Sequence, residues 1–271
     1  MSGPTAGLKE PAAGTITTQR HNASPSPPTR HGRDDLSKEC RAFDDEVAFT
    51  VAPFYLARML QRTLPVGFIA PCLPIKTDKL PSGSQWLHEI KHDGFRIIAR
   101  KTGAQVRLYS RPGNDLTRRF PLIVETLARL RSRSCIIDGE AVACDDKGVA
   151  SFDLIRHQRA NENIFLYAFD LIELNGDDLR RDPLEVRKAT LASIVAKASP
   201  GIRFNEHIEG DGPTVFAHAC KLGLEGVVSK RKDSAYRSGR SPDWLKMKNL
   251  DAPAVKREAE EDWGKSRGRW R

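Results

Sequence analysis

EIKHDGFR, residues 89–96, has the spacing K-x-D-G-x-R, formed by Lys91, Asp93, Gly94 and Arg96. At average amino-acid usage, four fixed positions recur by chance on the order of once in 10⁵ start points. A lysine held among other cations, such as Arg96, has its ammonium form disfavoured, and the neutral amine can then attack phosphorus. A solvated turn in which Lys91 pairs with Asp93 is the structural alternative. This stretch on its own leaves both interpretations open.

Strand and helix signals alternate regularly around this stretch. Three apolar runs are typical of buried strands: CIIDGEAVAC (135–144), NIFLYAFDLI (163–172) and LEGVVSK (224–230). Residues 116–130 carry a helical apolar stripe, and DDKG and NGDD are turn signals. Strand pairs joined by short turns and interleaved with single helices predict an α+β domain with mostly antiparallel sheets.

Two carboxylates lie beside apolar runs, Glu140 in IIDGEAV and Glu225 in LEGVVSK. A glutamate in this position is costly to bury unless it is paired, hydrogen-bonded or bound to a metal. Each alone is more often a solvated acid at a strand end. Together with a candidate lysine nucleophile, they indicate groups that could hold Mg²⁺ and a ribose hydroxyl.

The stretch WLKMK alternates, so that Trp244, Lys246 and Lys248 share one strand face while Leu245 and Met247 share the other. If the second face is turned to the core, both lysines project together toward whatever lies opposite. A half-exposed strand with two solvated lysines is the simpler interpretation of these five residues alone.

Positive charge is concentrated in the middle of the chain. The net charge is +9, and residues 66–248 carry +7 of it, with 30 Lys and Arg against 23 Asp and Glu. A basic folded domain predicts a polyanionic partner, nucleic acid or nucleotide. The loop SKRKDSAYRSGRSPDW (229–244) is suited either to phosphates or simply to solubility. Its cations are Lys230, Arg231, Lys232, Arg237 and Arg240.

Several classes of protein are disfavoured by the sequence. The five cysteines are scattered without a CxxC pair, which argues against a disulfide scaffold or a zinc module. No apolar run reaches membrane-spanning length and no secretory signal pattern opens the chain. We therefore expect a cytoplasmic protein with no membrane partner.

Composition divides the chain into three parts. Residues 1–65 are interpreted as a disordered, low-complexity N-terminal extension, because their first half is rich in Pro, Gly, Ser and Thr. Residues 66–250 form the predicted folded domain. Residues 251–271 are predicted to be a short charged tail.

The order of the motifs carries a family resemblance. EIKHDGFR, SRPGND, IDGE, AFDLIELNG, EGVVSKR and WLKMK follow one another in the chain. This series resembles the covalent nucleotidyltransferase superfamily, specifically the ATP-dependent DNA ligases of the bacterial end-joining type, over roughly residues 68–250. The resemblance implies a nucleotidyltransferase (ATP-grasp-like) fold, so that 66–250 would be a ligase adenylation domain. It also implies a bacterial, DNA-associated repair enzyme acting on nicked or broken double-stranded DNA.

The same resemblance implies roles around ATP. Lys91 would attack the α-phosphate, forming lysyl-AMP and releasing pyrophosphate. Glu89 would contact the adenine, and Phe169 would stack on that base. Arg96 and Arg111 would lie near the ribose and the nick phosphate.

Further implied roles concern charge and metal. Glu140 would bind the ribose and help hold the metal, and Glu225 would ligate Mg²⁺, with Mn²⁺ as an open alternative. Lys246 and Lys248 would neutralise the α-phosphate, and Arg240 would contribute to the same anionic site. Positioning and charge neutralisation account for most of the catalysis in such transfers.

The chain departs from the family pattern after the last motif. Family members continue into an OB-fold domain, whereas 23 residues follow Lys248 here. We expect no OB-fold domain, and a trans-acting OB-fold or end-binding repair protein as a partner. Two alternative functions stay open: a non-catalytic module that binds DNA nicks or ends, and an RNA ligase or capping-type transferase that uses RNA or GTP.

Overall fold

The computed structural model describes residues 67–156, 163–198 and 200–257. The predicted N-terminal extension and residues 258–271 of the predicted tail lie outside these ranges. Residues 253–257, within the predicted tail of 251–271, form a helical turn. Among the helices described, none is long and apolar enough to cross a membrane.

The first sheet has five strands in the order β1-β11-β10-β2-β9. Its strands are β1 (Cys72–Lys76), β2 (Trp86–Ile90), β9 (His207–Ile208), β10 (Gly226–Arg231) and β11 (Gly239–Lys248). The β1 and β11 pair is parallel, and the other pairs are antiparallel. The predicted strand in LEGVVSK is confirmed as β10, with Glu225 immediately before its first residue.

The second sheet has the order β4-β3-β5-β6-β7, with β8 pairing in parallel with β6. Its strands are β3 (Phe95–Thr102), β4 (Gln105–Ser110), β5 (Ser134–Val142), β6 (Phe165–Leu174), β7 (Asp177–Asp178) and β8 (Ile202–Phe204). The two predicted apolar strands are confirmed as β5 and β6. Because β2 belongs to the first sheet and β3 to the second, residues 91–94 connect the two sheets.

Within the described residues, the helices that accompany the sheets are α1 (Pro121–Ala128), α2 (Phe152–Arg156), α3 (Leu184–Val195) and α4 (Gly212–Lys221). The helix predicted over 116–130 is shorter than expected, because Thr117–Arg119 forms a separate 3₁₀ turn. Pro121 begins α1, where its missing N–H costs no hydrogen bond and its fixed φ suits the first turn.

Three apolar clusters hold these elements together. The largest buries the faces of α1 and α3 against the second sheet, and a smaller one packs α4 near β10. Between them, Ile98, Ile136 and Phe169 of the second sheet meet Cys72 and Trp244 of the first. The α+β class with mostly antiparallel sheets is therefore confirmed, and no closed barrel is formed by the strands within the described ranges.

Candidate active site

A cavity of about 250 Å³ is walled by strands of both sheets. Nine of the ten side chains implicated by the sequence line it: Glu89, Lys91, Arg96, Arg111, Glu140, Phe169, Arg240, Lys246 and Lys248. The tenth, Glu225, lines a neighbouring cavity of about 170 Å³, which also reaches Lys91. Strand positions as far apart in the sequence as Glu89 and Lys248, 159 residues, are thus brought to one place.

Lys91 follows β2 directly, and its side chain is 22% exposed. Its backbone N–H donates to the Gly226 carbonyl at 3.0 Å, which joins the end of β2 to the start of β10. The Nζ atom donates to Oε1 of Glu225. Lys91 therefore pairs with Glu225, whereas Asp93 is bonded to Arg257.

Arg96, the cation that the sequence suggested as a neighbour of Lys91, is itself paired with an acid. Its Nη2 donates to Oδ2 of buried Asp138 at 2.8 Å and to the Cys72 carbonyl at 3.0 Å. The cation that does share a partner with Lys91 is Lys248, whose Nζ lies 3.9 Å from the same Glu225 oxygen.

Gly94 has a steric role in the connection between the sheets. A Cβ added at this position would lie 2.2 Å from the Ala141 carbonyl oxygen of β5. The K-x-D-G spacing therefore needs glycine here, since no side chain fits between the turn and the strand.

We expect Gly94→Ala to lower the free energy of unfolding by about 1–3 kcal/mol, because backbone must move to accept the methyl group. Urea denaturation followed by circular dichroism measures this change. A midpoint equal to that of the wild type would contradict the close approach of the turn to β5.

Glu89 forms the centre of a buried charge cluster. Its side chain is 2% exposed, and its two oxygens accept from Lys188 Nζ at 2.8 Å and Lys230 Nζ at 2.7 Å. Asn205 Nδ2 donates to the same carboxylate at 3.1 Å. Burial by itself would raise the pKa of Glu89, but the two ammonium groups outweigh it and lower that pKa.

Phe169 supplies an aromatic wall that is 7% exposed. The Arg96 guanidinium lies 4.4 Å from its ring centroid and Lys230 Nζ 4.3 Å from it. Lys230 Nζ also lies 4.0 Å from the Trp244 ring. The Phe169 ring thus lines the cavity and contacts the side chains of two cations, Arg96 and Lys230. Stacking of this ring on a base stays a prediction.

Glu140 and Glu225 are carboxylates whose ionised forms are disfavoured. Burial raises the pKa of Glu140 to about 7, with the Glu225 charge adding to the rise and Arg96 and Lys91 opposing it. Burial also raises the pKa of Glu225, against the effect of Lys91. The buried Oε2 of Glu225 makes no hydrogen bond within the described part of the chain. A further cation at this position would stabilise the ionised forms of both carboxylates.

The alternation predicted for WLKMK places three side chains on the cavity. Trp244, Lys246 and Lys248 all line it, and Met247 packs instead with the cluster around α4. Arg240, on the same strand, lines the cavity and is exposed. These cations, together with exposed Arg111, give the cavity a positive wall.

Several cavity residues were missed by sequence reasoning. Lys230, assigned to a basic loop, is a buried strand residue that is 2% exposed. Its alternation with Val228, which also lines the cavity, was a usable signal. Asp138, which alternates with Glu140, does not line the cavity but bonds to Arg96, which does. Other polar cavity residues that sequence reasoning missed are His92 and Asn205.

A second set of contacts that sequence reasoning missed holds side chains in and next to the cavity. Tyr236 Oη donates to Asp138 at 2.6 Å and accepts the Cys72 N–H at 3.1 Å. His92 stacks on Tyr167 with ring centroids 4.0 Å apart. No local pattern in the sequence indicates these contacts, because their partners are distant along the chain.

Comparison with known proteins covers the same region. The family model of the ATP-dependent DNA ligase domain matches residues 72–248. The multifunctional non-homologous end joining protein LigD of Pseudomonas aeruginosa is 40% identical over 185 residues, covering 67% of this chain and 22% of that protein. This chain thus spans about a fifth of the length of that relative.

Solved structures agree with the fold. The ligase domain of M. tuberculosis LigD matches with a TM-score of 0.60 at 34% identity, covering 66% of this chain and 59% of that one. A mycobacterial DNA ligase D complexed with ATP and MES matches with a TM-score of 0.59 at 34% identity, covering 66% and 60%. The predicted nucleotidyltransferase fold is therefore confirmed.

Proposed function

The chain belongs to the family of ATP-dependent DNA ligase domains, and on that premise we propose that it forms lysyl-AMP from ATP at Lys91. The AMP then passes to the 5′-phosphate of nicked or broken double-stranded DNA, and the strands are joined in end-joining repair. The observation that carries this proposal is the position of Lys91, at a cavity that combines buried carboxylates with a cationic wall.

The first step needs a neutral amine at Lys91. Lys91 Nζ donates to Glu225 Oε1, so this carboxylate orients the amine, and the ammonium proton passes to solvent from the partly exposed side chain. The amine attacks the α-phosphorus, a nitrogen–phosphorus bond forms, and the bond to the departing pyrophosphate breaks. Lys246, Lys248 and Arg240 neutralise the phosphate oxygens as charge builds.

We propose that the adenosine lies in the same cavity. The acceptor atoms of Glu89, held in place by two lysines, face the adenine, and the Phe169 ring packs on it. Arg96 and Glu140 hold the ribose, and Arg111 lies toward the nick phosphate. Support for these assignments comes from the shared cavity wall and the motif order.

The donor set is suited to Mg²⁺, or to Mn²⁺ in its place. Glu225, with its unbonded buried Oε2, and Glu140, with its raised pKa, are the two groups that would hold the ion. Among residues 67–156, 163–198 and 200–257, no three His, Cys, Asp or Glu side chains form a metal site. Mg²⁺ is typically held by one or two carboxylates and completed by substrate phosphates, and Glu225 and Glu140 would supply such a pair. When bound, the ion would withdraw charge from the phosphate oxygens.

The later steps use DNA. An oxygen of the 5′-phosphate attacks the phosphorus of lysyl-AMP, the nitrogen–phosphorus bond breaks, and the Lys91 amine is restored. A 3′-hydroxyl then attacks the activated 5′-phosphate and releases AMP. The +7 charge of residues 66–248 supports a duplex partner, and a relative is named as an end joining protein.

Labelled ATP tests this function. Incubation of the protein with α-labelled ATP and Mg²⁺ or Mn²⁺ should give a covalent AMP adduct, and EDTA should prevent it. A chase with nicked duplex should discharge the label. Absence of an adduct at any concentration, with salt-sensitive DNA binding retained, would instead indicate a non-catalytic nick-binding module. A preference for GTP or for RNA nicks would indicate the RNA ligase or capping type.

A further inference from the structure

The acid of the K-x-D-G motif is held by a residue that follows the last strand. Asp93 is 8% exposed, and Arg257 Nη2 donates to both of its oxygens at 2.8 Å. The backbone N–H of Phe152, at the start of α2, donates to Oδ2 at 3.1 Å. Arg257 is therefore the cationic partner of a buried carboxylate two residues from Lys91.

Arg257 is itself held in place by other contacts. Its guanidinium carbon lies 5.0 Å from the centroid of the Phe152 ring, and Nη1 lies 3.8 Å from Oδ2 of Asp153. The Phe152 ring lies 4.8 Å from that of Phe95, the first residue of β3. The guanidinium is thus oriented by an aromatic face and two acids.

Two carboxylates line the smaller cavity beside Lys91, and each has a different cationic partner. Asp93, Glu225, Lys91 and Arg257 all line the cavity of about 170 Å³, together with His92, Asp145 and Asp153. Lys91 bonds to Glu225, whose Oε1 also lies 3.9 Å from Nζ of Lys248, a residue of the larger cavity, and Arg257 bonds to Asp93. If Arg257 lost its charge, Asp93 would be a buried anion without its partner, and the nearby Lys91 ammonium would be attracted to it.

We propose that Arg257 is a positioning residue for adenylation. By pairing with Asp93, it keeps the Lys91 ammonium bonded to Glu225 and directed to the larger cavity, called here the nucleotide cavity because ATP is proposed to bind there. This inference rests on the proposed function and extends it to the segment after β11. Arg257 does not line the nucleotide cavity, so it acts on the rate of nucleophilic attack and not on the affinity for ATP.

Steady-state and single-turnover adenylation with labelled ATP test this role. We expect Arg257→Met to lower the rate of adduct formation by about 10- to 100-fold, because a reacting group that is out of position reacts more slowly. The KM for ATP should change by less than about twofold. Arg257→Lys restores a cation at Asp93 and should recover most of the rate. Lys256→Met, at the exposed neighbouring position, is the matched control and should behave as the wild type.

A second variant separates this role from general destabilisation. The Asp93→Asn variant has no carboxylate at position 93 that could attract Lys91. Adding Arg257→Met to it should therefore have little further effect on the rate of adduct formation. Three results would overturn the inference. Arg257→Met could form the adduct at the wild-type rate, or Arg257→Lys could recover none of the lost rate. The added Arg257→Met change could also lower the rate of Asp93→Asn as much as it lowers that of the wild type. If the wild type itself forms no adduct, the proposed function fails first, which is a different result.

Discussion

Lys91→Arg is expected to reduce formation of the labelled AMP adduct by about 10⁴-fold or more, the scale seen when an enzyme loses its nucleophile. Arginine preserves the positive charge beside Glu225, but its guanidinium stays protonated in proteins and offers no free amine. The variant therefore separates nucleophilic attack from charge.

The measurement is single-turnover labelling with ATP and Mg²⁺, read on a denaturing gel. Lys76→Arg, at the exposed end of β1 and outside the cavity, is the matched control and should label normally. Thermal melting should show both variants folded, since the Lys91 side chain is partly exposed. Undiminished labelling of Lys91→Arg would place the nucleophile elsewhere.

Glu89→Leu should give the largest change in stability, a loss of about 3–5 kcal/mol in the free energy of unfolding, because it leaves buried ammonium groups without a carboxylate. Lys188 and Lys230 are both 2% exposed at the side chain and both bond to Glu89. Urea denaturation measures the change. Glu185→Leu, an exposed acid at the start of α3, should change stability by no more than about 0.5 kcal/mol.

A combined variant identifies the cause of that loss. If unpaired lysines are responsible, adding Lys188→Met and Lys230→Met to Glu89→Leu should recover much of the stability, because a wholly apolar cluster carries no buried charge. Failure to recover would mean that shape, and not charge, limits the site. A loss below about 1 kcal/mol for Glu89→Leu would contradict the buried cluster altogether.

Strand-level features of the site were predictable because alternation is local. The period of two placed Lys246 and Lys248 on one face of β11, and both line the cavity. The apolar runs located β5, β6 and β10 for the same reason. Motif order then indicated that these strands serve one site, a step that rests on resemblance and not on the pattern itself.

Charge pairing was less predictable. The sequence suggested Arg96 as the cation that tunes Lys91, but Arg96 is neutralised by Asp138, and Lys248 is the cation that shares Glu225. Lys230 was interpreted as part of a basic loop because it lies in a run of cations. A charged run is usually solvated, and only burial shows which member is an exception.

The sequence by itself determined the strand faces and indicated the family of the chain. Only the tertiary structure decided which acid holds which cation: Lys91 with Glu225, Asp93 with Arg257, and Glu89 with two buried lysines. The physical reason is the separation along the chain of the residues that interact. Side-chain alternation and turn chemistry are set by adjacent residues, whereas the bond from Lys230 to Glu89 joins positions 141 residues apart and exists only where two strands of one sheet meet.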